Sequence, residues 1–131
     1  MHTILGAGGP VGNALAQTLL EHQETVRLIS RRKVETPGAG WVYADLKDAG
    51  QLVQATQGSS VIYMCAGLRY DKKVWAEEWP LIMQNLIHTA KTHSARLIFF
   101  DNVYMYGRVN GAMTENSPYN PSSVKGRIRA G

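Results

Sequence analysis

At 131 residues, 44% hydrophobic and 18% charged, the sequence holds one folded domain with a real core and is not a disordered tail. Its net charge of +4 comes from scattered basic residues without interleaved aromatics, a pattern that excludes nucleic acid as the expected partner. No apolar run approaches the about 18 residues of a membrane span, and the single cysteine, Cys65, excludes an internal disulfide and suits a reducing, cytoplasmic compartment.

Thr3 to Leu5 reads as a short buried strand. Glycines follow at Gly6, Gly9 and Gly12, and a helical pattern of Val11, Ala14, Leu15 and Leu19 opens at once and runs to about His22. Glycine lets a backbone turn sharply and approach a phosphate without a Cβ in the way, and the helix that follows aims free N–H groups at the anion. The spacing is G-x-x-G-x-x-G, since Val11 stands where G-x-G-x-x-G needs glycine. The bland alternative is a flexible turn; three glycines in register at a strand–helix junction favour a nucleotide cradle.

A second strand covers Thr25 to Ser30, and Lys33 to Gly40 is a Pro/Gly-containing loop. Trp41 to Ala44 forms a third strand, and a helix runs from about Asp48 to Thr56 with Leu52, Val53 and Ala55 apolar. Ser60 to Met64 is the fourth strand. Trp79, Ile82, Met83, Leu86, Ile87 and Ala90 then make one apolar helical face. Arg96 to Phe100, apolar on both sides, is the fifth strand, expected between helical layers. A loop spans about 102–119, and Asn120-Pro121 predicts an N-cap with proline at the first helical position. Strands alternating with helices predict an α/β fold, a doubly wound parallel sheet of about five strands.

Several short motifs together resemble the extended or atypical short-chain dehydrogenases/reductases of the NAD(P)-dependent epimerase/dehydratase type, over nearly the whole chain. They are Gly6-x-x-Gly9-x-x-Gly12, Asp45-Leu46 after the third strand, Cys65-Ala66-Gly67 after the fourth, and Tyr106-Gly107 after the fifth. Pro118 to Lys125 resembles the stretch carrying the family's active-site helix. The resemblance implies that Gly9, Pro10 and Val11 touch the pyrophosphate. It further implies that Asp45 and Leu46 flank the adenine, that Cys65, Ala66 and Gly67 line the path to the nicotinamide ribose, and that Lys125 holds a ribose. It also implies a Rossmann domain over 1–131 that is part of a longer architecture, ending before the substrate-binding region.

Cofactor preference is argued from charge. Where strand two meets the adenosine ribose, an acid would favour NAD(H). This strand ends Ser30-Arg31-Arg32, a hydroxyl and two guanidiniums that suit a 2′-phosphate, so NADP(H) is expected over NAD(H). A solvated Arg-Arg-Lys turn is the competing reading.

The family's proton relay pairs a lysine with a tyrosine four residues earlier and a Ser or Thr at the end of strand five. Here Pro121 stands four before Lys125, and Asn102 occupies the Ser/Thr position four before Tyr106. Tyr106, with Tyr104 and Tyr119, could substitute as a proton carrier, although packing is the ordinary role of such residues. Asp101 is an acid–base candidate or a turn cap. Histidines 2, 22, 88 and 93 show no metal spacing, and Cys65 reads as a buried filler.

Three readings follow: an NADP(H)-dependent oxidoreductase or epimerase of a small carbonyl or sugar-nucleotide substrate, a non-catalytic NADP(H) sensor, or an inactive truncated product. The missing tyrosine predicts that these 131 residues alone bind cofactor without turnover. Leu97-Ile98-Phe99-Phe100 at an open sheet edge predicts self-association there or through adjacent helices.

Overall fold

The computed structural model describes residues 1–131. Its elements are β1 (His2–Leu5), α1 (Pro10–Glu21), β2 (Val26–Ser30), β3 (Gly40–Tyr43), α2 (Ala49–Ala55), β4 (Val61–Met64), α3 (Lys72–Thr92), β5 (Arg96–Phe99), a 3-10 turn (Tyr104–Tyr106) and α4 (Val124–Ala130). They divide into two compact units, residues 1–67 with 81–100 and residues 68–80 with 101–131.

The first unit carries a five-stranded sheet in the order β3-β2-β1-β4-β5. Every neighbouring pair is parallel, with Leu5 level with Ile29 on one side and Met64 on the other. The chain winds outward from β1 through β2 to β3, then returns to place β4 on the other flank of β1. The order therefore reverses between β1 and β4, and in such sheets a crevice opens there beyond the carboxyl ends of the strands.

Ile4, Leu5, Leu28, Ile29, Ile62 and Met64 are fully buried, as strands covered on both faces require. The side of α1 that buries differs from the expected stripe: Gly12 and Ala16 are buried whereas Ala14 is exposed. Small residues bring the helix backbone close to the sheet, and the larger Leu15, Leu19 and Leu20 pack around Ile4, Ala16, Val26 and Leu28. Arg27, one of the scattered cations, is structural. Its guanidinium donates to the carbonyls of Ala55 (2.9 Å) and Gln57 (2.8 Å) at the end of α2. Asp48 caps the start of α2 by accepting from the Gln51 N–H.

Two expectations for this unit are corrected. Ile87 is 44% exposed, and the buried face of α3 continues instead through Ile82, Asn85, Leu86, Thr89 and Ala90. Asn85 is drawn in because its side-chain amide donates to the Leu46 carbonyl, 3.0 Å. β5 lies at the sheet edge and alternates, with Arg96 and Ile98 exposed and Leu97 and Phe99 half-buried, so it is not sandwiched on both faces.

In the second unit, α3 starts at Lys72, two turns before the apolar stripe suggested. The cause is Asp71, whose carboxylate accepts from the N–H groups of Lys73 (2.8 Å) and Val74 (3.1 Å). These bonds favour the ionised carboxylate and hold Asp71 below the usual aspartate range. The helix continues through Pro80, the residue that hides its first half from a sequence reading. Trp75 and Trp79 are buried and meet edge to face, with centroids 6.0 Å apart.

α4 begins later than Asn120-Pro121 predicts: Ser123 is its N-cap and accepts from the Gly126 N–H. The Asn120 N–H donates instead to the Met105 carbonyl, which ties this stretch to the 3-10 turn. Gly107, at φ +64°, and buried Gly126 allow these segments to approach, because a Cβ on either would strike backbone, of Asn120 and of Tyr104 respectively.

Candidate functional site

The glycine loop at the crevice is held by specific bonds. The Gly6 N–H donates to the Ile29 carbonyl at 3.0 Å, and the Cys65 N–H donates to the Leu5 carbonyl at 2.9 Å. These bonds set the end of β1 between β2 and β4. Gly6 sits at φ +84°, and a Cβ there would lie inside the backbone of Ala66. The glycine loop and the Cys65-Ala66-Gly67 segment, far apart in sequence, thus touch. Gly8, also left-handed at φ +93°, donates its N–H to Asn13 Oδ1 at 3.1 Å, so the first turn of α1 braces the loop.

The N-terminus of α1 suits an anion. Gly9 is its N-cap and offers no side chain, Pro10 at the first position has no N–H, and no acid lies in the first turn. The first amides of a helix have no partner within it, and no side chain caps these. Val11 and Gly12 therefore present N–H groups and the positive dipole end to whatever lies in the crevice. Gly12 is buried, and a Cβ on it would stand 3.1 Å from the Gly6 carbonyl oxygen, so the third glycine serves helix-to-loop packing. A pyrophosphate fits these residues.

Beside the loop, Ser30 ends β2 with its hydroxyl engaged. Its oxygen lies 2.5 Å from the Arg32 carbonyl, to which it donates, and accepts from the Trp41 indole N–H at 2.9 Å. With its only proton committed, Ser30 shapes the turn, and Arg31 and Arg32 beside it are exposed. The neighbouring Lys33 is paired with Glu35 at 2.8 Å. Asp45 accepts from the Lys47 N–H at 3.0 Å, and the Leu46 carbonyl is fixed by Asn85. Burial pushes the Cys65 thiol up, away from thiolate chemistry. Gly67 borders open space: an added Cβ would meet nothing within 4 Å.

The remaining sequence-derived residues lie in the second unit. Asn102 is used locally, its Oδ1 accepting from the Tyr104 N–H at 3.0 Å to start the 3-10 turn. Asp101 accepts from the Asn102 N–H at 2.7 Å and pairs with Arg129 at 3.2 Å, which makes it an anchor. Tyr106 packs edge to face on Tyr119, with centroids 5.4 Å apart. Lys125 lies near the start of α4, while Pro121 precedes the helix; the ammonium stands over the face of the Tyr70 ring, with Trp75 beyond at 5.2 Å. The neighbouring Tyr70 hydroxyl, more than burial, raises the Tyr104 pKa.

Sequence reasoning missed Tyr70, Trp75, Arg129 and Asn13. Asn13 had a legible signal, a side-chain amide in the first helical turn after a glycine loop. The other three come together only through tertiary packing.

Comparison with known proteins agrees with this architecture. The mutated uronate dehydrogenase structure superposes at a TM-score of 0.83 with 21% identity, covering 98% of this chain and 50% of the other. MoeE5 in complex with UDP-glucose and NAD superposes at 0.82 with 23% identity, covering 98% and 45%. The Bordetella bronchiseptica enzyme WbmG in complex with NAD and UDP superposes at 0.81 with 21% identity, covering 98% and 46%. The chain thus spans about half the length of these proteins, and the likeness is one of fold. No curated protein sequence matches the chain. The family model described as the NAD dependent epimerase/dehydratase family matches residues 2–125, and with that match and a Rossmann sheet throughout, the chain belongs to this family.

Proposed function

We propose that the chain is the NADP(H)-binding part of a cytoplasmic oxidoreductase or epimerase acting on a small carbonyl or sugar-nucleotide substrate. The observation that carries this reading is the uncapped, acid-free N-terminus of α1 opening at the reversal of strand order, flanked by Arg31 and Arg32. The amides of Gly9, Val11 and Gly12 receive the pyrophosphate. Asp45 and Leu46 border the adenine, and the open side of Gly67 leaves room for the nicotinamide ribose. A bound nicotinamide supplies hydride-transfer chemistry. The substrate class is suggested by the UDP-glucose and UDP complexes of the similar structures.

The choice of NADP(H) rests on charge. The two residues directly after Ser30 are exposed guanidiniums rather than a carboxylate. Titration by protein fluorescence is expected to show tighter binding of NADPH than of NADH. Replacing Arg31 and Arg32 by Ala is expected to cost about 1–3 kcal/mol for NADPH and little for NADH. Equal affinities, or a preference for NADH, would overturn the assignment.

The partner proposed is a second copy of the chain. β5 is an edge strand with Ile98 38% exposed, Phe100 directly after it is 62% exposed, and unpaired edge groups beside apolar side chains favour association. Light scattering at micromolar concentration is expected to give a mass above the monomer, and a clean monomer would refute it.

A further inference from the structure

Of the six asparagines in the chain, one stands apart in its neighbour, its exposure and its freedom. Asn110 is followed by Gly111 in the loop between the 3-10 turn and α4, and both residues are exposed. Neither the Asn110 side-chain amide nor the Gly111 N–H is held by a hydrogen bond. Gly111 sits at φ +88°, and a Cβ there would meet nothing within 4 Å. The loop is closed at its base, where the Asn120 N–H donates to the Met105 carbonyl at 3.1 Å and Gly107 approaches the Asn120 backbone. A loop closed in this way stays at the surface while the fold behind it is intact.

These are the conditions for a reaction that needs no partner but water. The Gly111 nitrogen attacks Cγ of the Asn110 side chain and gives up its proton. A C–N bond forms, the Cγ–Nδ2 bond breaks, and ammonia leaves with that proton. The cyclic succinimide so formed takes up water at either carbonyl and opens to aspartate or isoaspartate, with nothing oxidised or reduced. A side chain on the attacking residue crowds the approach, and glycine has none.

The other asparagines each fail on at least one point. Asn13 and Asn102 accept through Oδ1 from the N–H groups of Gly8 and Tyr104, and are followed by Ala14 and Val103. Asn85 is buried, and its amide donates to the Leu46 carbonyl. Asn116 is exposed, but its attacking nitrogen would be that of Ser117, whose N–H donates to the Thr114 carbonyl at 3.0 Å. Asn120 precedes Pro121, which has no N–H to lose.

We infer that Asn110-Gly111 is a site of spontaneous deamidation, at which the folded chain acquires a carboxylate with age. The neutral amide becomes an acid, which lowers the formal net charge by one from +4. The isoaspartate product also adds a methylene to the backbone of the loop.

The test is incubation of the intact protein in warm, mildly alkaline buffer made with heavy-oxygen water, followed by trypsin and tandem mass spectrometry. Cleavage after Arg108 and Lys125 releases one peptide that holds Asn110, Asn116 and Asn120, so the three compete in the same molecule. Heavy oxygen in the product assigns the conversion to the incubation rather than to the digestion. Asn110 is expected to convert at least about tenfold faster than either of the others, the ratio given by a barrier lower by about 1.4 kcal/mol. A synthetic peptide of the same sequence, with no fold around it, sets the reference rate. Asn110→Gln is expected to remove the acidic species that accumulates on ion exchange. An advantage over Asn116 or Asn120 smaller than tenfold overturns the inference, as does an Asn110 that the fold slows about tenfold or more below the free peptide. An acidic species that persists in Asn110→Gln overturns it too. Failure here leaves NADPH binding untouched.

Discussion

Gly6→Ala is expected to cost about 3 kcal/mol or more and to leave little folded protein at ambient temperature. Two penalties add. The residue sits at φ +84°, where an L side chain is strained, and its Cβ would lie within the backbone of Ala66. Backbone cannot rotate aside as a side-chain tip can. Relief would mean moving β1 away from the segment after β4 and breaking the Cys65 N–H bond to Leu5. Gly40→Ala is the matched control, because a Cβ there meets nothing within 4 Å. Urea unfolding followed by tryptophan fluorescence measures both, and a Gly6→Ala midpoint equal to that of Gly40→Ala would contradict the packing described.

The second large effect is expected from Asp101→Ala, at about 2–4 kcal/mol. The Arg129 side chain is only 9% exposed, its guanidinium lying 3.8 Å from the centre of the Trp79 ring and 4.9 Å from that of Trp75. Burial lowers the Arg129 pKa, and the Asp101 charge opposes that shift. Removing the carboxylate takes the counter-charge, 3.2 Å distant, away from a buried cation, whereas removing both charges does not leave that imbalance. The double variant Asp101→Ala with Arg129→Met is therefore expected to regain a large part of the loss in the same urea experiment. A single variant within about 0.5 kcal/mol of wild type would show that the pair behaves as a surface ion pair.

The sheet was legible because buried parallel strands are dominated by apolar residues, as in Ile4-Leu5, Leu28-Ile29 and Val61–Met64. The glycine cradle was legible because glycine at a strand–helix junction has few other uses. What stayed hidden depended on partners distant in sequence. The hydroxyl of Ser30 looked available until Trp41 and the Arg32 carbonyl engaged it. Asp101 looked like a turn cap or an acid–base group until Arg129 reached it, and Lys125 was set against Pro121 although its neighbour in space is Tyr70. Asp71 and Pro80 illustrate a local failure: the proline masked the first half of a helix that the aspartate starts.

The central claim is that a phosphorylated dinucleotide rests on the first turn of α1. Amide chemical shifts of labelled protein during an NADPH titration test it most directly. The account predicts that the Gly9, Val11 and Gly12 resonances move saturably together with those of Arg31 and Arg32. Resonances in this turn that stay fixed while NADPH saturates the protein would contradict it, as would the absence of any binding.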